Sequence, residues 1–159
     1  MHELPFADHD HANCTSGVLG HADKLAEEKG LRLTPVRRAA LEILLSDHRA
    51  MGAYEVLEQL QEKGFGNQPP VAYRALDFLV ENGLAHRVQR LNAFAACTQP
   101  TKKHRPVFLI CKDCEQVAEA DALDVQDALS IAADKAGFEI ERVNVEVLGL
   151  CPACQENTA

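Results

Sequence analysis

No stretch of this chain approaches the roughly 20 consecutive apolar residues that a membrane-spanning helix requires. The opening residues, MHELPFADHDHANC, also lack the basic-then-apolar order of an export signal, so a cytoplasmic location is expected. No nucleophile stands in a recognisable pairing with a general base, which argues against an enzyme. Internal repeats are absent apart from a doubled cysteine pair. Acidic side chains are missing altogether from 82 to 112, where Arg87, Arg90, Lys102, Lys103, Arg105 and Lys112 fall.

That local absence matters because the whole chain carries a formal charge of -8, which alone would disfavour a polyanionic partner. The acidity is concentrated at one end. Residues 113–159 hold 11 acidic and 2 basic side chains, whereas residues 24–112 hold 9 acidic and 14 basic ones. The earlier part can therefore face a nucleic acid even though the average charge is negative.

Residues 1–17, rich in His and Asp and without periodicity, read as a flexible tail; His2, His9, His11 and Cys14 there, with His21 just beyond, could collect metal. A helix is expected over 18–29, stopped by Gly30, and a second after Thr34 and Pro35, a capping hydroxyl followed by a proline suited to the first turn. A third helix fits 53–63, with Tyr54, Leu57 and Leu60 recurring on one face. Pro69 and Pro70 open a fourth. Its apolar set Val71, Ala75, Leu76, Leu79 and Val80 leaves Ala72, Tyr73, Arg74 and Asp77 for the other side. Two short strands, 85–91 and 93–97, turn at Asn92. Helices followed by a hairpin are the order of a winged helix-turn-helix, whose last helix enters the major groove.

The second half, 98–159, reads as a small α/β unit. Strands are expected at 107–110 and 116–119, a helix at 124–135, and a long strand over 138–148 with a bulge near Glu141 and Arg142. The whole is expected to be an α+β chain: tail 1–17, winged-helix DNA-binding domain 18–97, and a second domain 98–159.

Cys111 and Cys114, then Cys151 and Cys154, form two Cys-x-x-Cys pairs, each directly after an expected strand. Two intervening residues let both thiolates turn toward one point, and two such knuckles make the tetrahedral sulfur shell that suits zinc. The 36 residues between the pairs exceed the gap of a simple zinc ribbon, so the intervening elements must fold back. A closed four-sulfur shell is structural rather than catalytic. Thiol-disulfide exchange is the competing chemistry, but its motifs sit at a helix start in a βαβ setting.

The stretch RLTPVRR at 32–38, PPVAYRALDFL at 69–79 and the paired cysteine knuckles together resemble the ferric uptake regulator (Fur) family of metal-responsive repressors, over about residues 24–154. The tyrosine-arginine helix and the ending GLCPAC at 149–154 are most similar to its zinc uptake regulator branch. The iron-sensing branch carries a His-His-x-His run where KKHR stands at 102–105.

The resemblance implies a homodimer that binds palindromic operator DNA, with 98–159 as the dimerisation and metal-binding domain and two zinc ions per chain, one structural and one regulatory. It implies His86, Cys97, His104 and Glu119 as regulatory ligands at the hinge between the halves. A thiolate in that set independently favours zinc over iron(II) or manganese. It also implies that Tyr54, Tyr73 and Arg74 approach the operator, with Arg37 and Arg38 as candidates for phosphate contacts. Val71 stands where the family commonly places threonine, so a hydroxyl contact at the helix start is lost. Sensing of iron, manganese or peroxide is the alternative within the family; a thiol oxidoreductase or zinc carrier is the alternative outside it.

Overall fold

The computed structural model describes residues 6, 11–47, 49–98, 100, 106–120 and 123–157, with the side chains of residues 11 and 14 left out. Four helices come first: α1 (His11–Lys29), α2 (Pro35–Leu45), α3 (Ala53–Glu62) and α4 (Pro69–Glu81). Thr34 caps α2 by accepting the Arg37 backbone N–H at 3.4 Å, and Pro35 occupies the first turn. Val18, Ala22, Leu41, Leu44, Val56, Leu60, Leu76 and Leu79 build one core between these helices.

Three sequence expectations need correction here. Helix α1 starts at His11 rather than near residue 18, so residues 11–17 of the expected tail are helical. Ala12, Asn13, Ser16 and Gly17 are exposed and leave no apolar period to read; the helix propagates from the Val18 and Ala22 anchor with no proline to stop it. On α3, Ala53, Val56, Leu57 and Leu60 are buried, and Tyr54, one position off that stripe, is 65% exposed. On α4 the buried stripe is Ala72, Ala75, Leu76 and Leu79, so Ala72 faces the core while Val71 and Val80 lie at its border. The spacing of three, one and three residues is that of a helix seated on a core.

Gly83, at φ 71, ends α4 in the left-handed conformation, and the Leu84 N–H returns to the Leu79 carbonyl at 2.8 Å. The chain then enters a hairpin of β1 (Ala85–Val88) and β2 (Ala93–Ala96), antiparallel and shorter than expected, turning through Asn92 at φ 46. Arg87 steadies this turn by donating to the Asn92 side chain at 2.9 Å.

The second half contains a three-stranded sheet in the order β4-β3-β5. β3 (Val107–Cys111) and β4 (Val117–Ala120) are antiparallel, and β5 (Val145–Gly149) runs parallel to β3 after α5 (Leu123–Lys135). A short α6 (Pro152–Asn157) follows. The long strand expected over 138–148 with a bulge is not formed: residues 138–144 are irregular, and pairing starts at Val145 opposite Val107. Among the described residues β3 offers five residues of edge, all matched to 145–149, so none of them pairs the earlier part.

A second cluster joins the halves. Val88 and Ala93 of the hairpin and Ala50 meet Phe108 and Ile110 of β3. An isolated bridge between Arg49 and Gln116 adds a backbone link.

The two faces of α4 predict opposite outcomes. Leu76→Ala should cost about 3 kcal/mol, because it empties a fully buried site. Arg74→Ala on the exposed face should stay within about 0.5 kcal/mol. Urea unfolding of both variants checks this assignment.

Candidate metal centres and nucleic-acid face

Cys111 ends β3, and Cys114 lies in the turn beyond it. The turn closes because Glu115, at φ 60, donates its N–H to the Cys111 carbonyl at 3.0 Å. Cys151 follows β5, and Cys154 lies in α6. Because β5 is parallel to β3, both strands deliver their cysteines to the same end of the sheet. The four sulfurs lie within 4.8 Å of one another, as the two knuckles predict.

The donor set fits zinc. A tetrahedron with metal-sulfur bonds of about 2.3 Å has sulfur-sulfur edges of about 3.8 Å, and Cys114 Sγ lies 3.7 Å from Cys151 Sγ. That separation is far beyond the roughly 2.05 Å of a disulfide. Charge points the same way. Backbone N–H groups, first that of Cys114 and then that of Cys151, hold the Cys111 thiol at about 6. The adjacent Cys151 side chain, followed by burial, pushes Cys154 up to about 12. Four thiolates so close cannot all be charged without a cation between them.

A second group forms at the seam. His86 projects from β1, Cys97 follows β2, and Glu119 lies on β4; their donor atoms are within 4.8 Å of one another. Glu119 Oε1 is 3.5 Å from His86 Nε2 and 3.9 Å from Cys97 Sγ. Cys97 is fully buried and the Glu119 side chain is 6% exposed. The Cys97 N–H is held by the Leu84 carbonyl at 2.9 Å, and the His86 ring packs edge-on against Phe108 at 5.5 Å. An imidazole, a thiol and a buried carboxylate make a mixed donor set that a borderline-soft cation would neutralise. His104, the fourth residue expected here, lies outside the described residues.

Sequence reasoning missed Thr98. Its N–H and hydroxyl donate to Glu119 Oε2 at 3.3 and 3.4 Å, which turns Oε1 toward Cys97 and His86. Only its place beside Cys97 could have signalled this, since orienting groups commonly neighbour ligands.

The residues expected at nucleic acid divide in two. Tyr54 on α3, and Tyr73 and Arg74 on α4, are exposed. Arg37 and Arg38 are already engaged within the chain. Arg37 donates to the Arg32 carbonyl at 2.6 Å and stacks 3.9 Å over Phe78; Arg38 pairs with Asp23 at 2.6 Å and Glu42 at 3.5 Å. Any phosphate contact from these two competes with those partners.

Residues 28–148 match the model of the ferric uptake regulator family. Over 145 residues the chain is 37% identical to the zinc uptake regulation protein of Escherichia coli (strain K12), covering 89% of this chain and 84% of that protein. A solved zinc uptake regulator complexed with zinc and DNA superposes with a TM-score of 0.86 at 35% identity, covering 91% of this chain and 97% of that one. Holo XcZur superposes at 0.80 with 37% identity over 89% of this chain and 99% of that one. Apo XcZur reaches 0.52 with 36% identity over 90% and 99%.

Proton release tests the four-cysteine site. Zinc binding at pH 7 should release fewer than four protons, because Cys111 is already ionised above about 6. Below that pH, Cys111 must lose its proton as well, so affinity should fall by about a further tenfold per pH unit. Calorimetry in buffers of different ionisation enthalpy measures both.

Proposed function

Because the chain belongs to the ferric uptake regulator family, we propose that it is a zinc-responsive transcriptional repressor that binds palindromic operator DNA as a homodimer and controls zinc-uptake genes. It acts in the cytoplasm, as a regulator and not an enzyme. The observation that carries this reading is the meeting of His86 and Cys97, from the wing, with Glu119, from the sheet, at the seam between the halves. Two zinc ions are assigned per chain, one to Cys111, Cys114, Cys151 and Cys154, and one to His86, Cys97, Glu119 and His104.

At the seam, zinc supplies a positive charge that donors from both halves share. His86 and Cys97 bring the wing to it, Glu119 brings the sheet, and Thr98 keeps Glu119 turned inward. The winged helices of a dimer then settle at one separation, matched to two half-sites. A hundredfold gain in DNA affinity needs only about 2.7 kcal/mol of preference for that arrangement, and operator DNA must tighten zinc binding equally. The superpositions support this reading. At nearly the same sequence identity, the chain superposes better on holo XcZur than on apo XcZur. Arg74 is assigned to base contact, with Tyr73 and Tyr54 beside it and Arg37 and Arg38 toward phosphate.

The dimer reading rests on an apolar face. α5 buries none of its residues, and Leu123, Ile131, Phe138, Val147 and Leu148 all lie exposed on α5, β5 and the chain between them. Large apolar side chains exposed in this number on one part of a small protein are what an association surface would cover.

Two experiments follow. Across buffered zinc, iron(II) and manganese, zinc alone should raise operator affinity about a hundredfold. Cys97→Ser should remove that gain while leaving circular dichroism and the four-cysteine zinc intact; gel shifts showing equal binding by metal-free protein overturn the reading. Phe138→Glu should shift the protein toward monomer in sedimentation equilibrium.

A further inference from the structure

Glu146, the second residue of β5, belongs to neither candidate metal centre. Its carboxylate accepts the backbone N–H groups of Gln89 at 2.6 Å and Arg90 at 2.9 Å, consecutive residues in the turn between β1 and β2. Asn144 donates to the same carboxylate at 3.0 Å. Successive N–H groups converging on a carboxylate form an anion-binding nest, and hydrogen bonds to a charged acceptor are the stronger kind. Burial pushes this carboxyl up, but the donors Asn144, Arg90 and Gln89 outweigh it and hold it below the usual carboxylate range.

The register gives this contact its place. Phe108 pairs with Glu119 on one side and Glu146 on the other, and cross-strand partners point to the same face of a sheet. The face that meets the wing therefore carries the row Glu119, Phe108, Glu146. Glu119 reaches the root of the hairpin at His86 and Cys97, Phe108 packs among Val88 and Ala93, and Glu146 reaches the tip. The wing is held at both ends by carboxylates, and only one of them takes part in a metal site.

We propose that Glu146 is a positioning residue: a metal-independent latch on the wing tip that sets the zinc concentration at which the protein binds DNA. This consequence rests on the zinc-responsive reading above; the latch itself rests on the geometry alone. Latch and metal favour the same docked arrangement, so they are linked. Weakening the latch lowers the docked fraction of metal-free protein, and the apparent zinc affinity of the seam falls by the same factor. Saturating zinc restores docking, so operator affinity at high zinc changes less. A residue that only stabilised the fold would lower the melting temperature and leave the zinc midpoint alone.

The test uses the full chain and its Glu146→Gln variant, with Asn144→Ala as a milder second variant. Zinc is titrated against a competing chelator, with and without a palindromic duplex selected by the zinc-loaded wild type from a random library. Glu146→Gln should raise the zinc midpoint about tenfold and Asn144→Ala about threefold. Amide exchange at 89 and 90 is followed in a Cys97→Ser background, which leaves the seam without its thiolate, and should quicken about tenfold with Glu146→Gln. Unchanged exchange overturns the latch, and quickened exchange with an unmoved zinc midpoint overturns its role in setting sensitivity. A wild type that shows no zinc response overturns the regulatory reading instead, and exchange alone then decides the latch.

Discussion

The rest of the arrangement depends on how the β1/β2 hairpin lies on the β3 face. Phe108 fills the space between hairpin and sheet, and Glu119 and Glu146 flank it on neighbouring strands. The contact is small, and much of it is polar. An apolar seam of a few side chains supports docking without fixing it, whereas two carboxylates make its strength depend on charge. A wing docked by such a contact can be biased by a cation at one end. A wing welded by a large hydrophobic interface could not.

The four-cysteine centre serves that seam from a distance. It joins the ends of β3 and β5, two strands far apart in sequence, and Lys112 N–H to Gly149 carbonyl at 2.9 Å continues the pairing up to the knuckles. Burial in the sheet is concentrated in β3, and neither β5 nor α5 contributes a buried residue. A cation among the four thiolates would give such a sheet the rigidity its small core does not supply. Glu119 and Glu146 then stand at a defined spacing, which the wing needs if its root and tip are to be met together. On the proposed reading, the structural and regulatory roles of metal would be mechanically ordered, the one holding the platform on which the other acts.

Much of this was legible because its signals are short-range. Thr34 before Pro35, Pro69 and Pro70, and Gly83 mark helix ends by local backbone chemistry, and the structure uses each of them where expected. The Cys-x-x-Cys pairs are legible for the same reason. Errors arose where burial decided the outcome. Tyr54 and Ala72 differ from their neighbours only in which way the helix is rotated on the core, and a pattern read from one helix tolerates an error of one position. Residues 138–144 alternate like a strand, but a strand needs an edge, and among the described residues β3 offers none beyond Val107.

The order of elements and the four-sulfur knuckles were legible in the sequence alone, since residue type and near spacing carry that information, whereas His86, Cys97 and Glu119 followed only from the family resemblance. Tertiary structure decided which carboxylates face the wing. The Glu119 and Glu146 positions are 27 residues apart, and only their common register against Phe108 turns them into a pair. It also decided that Arg37 and Arg38 are engaged inside the chain, and that Thr98 and Asn144 orient the two carboxylates. Those contacts depend on how strands align and helices rotate, which no local pattern encodes.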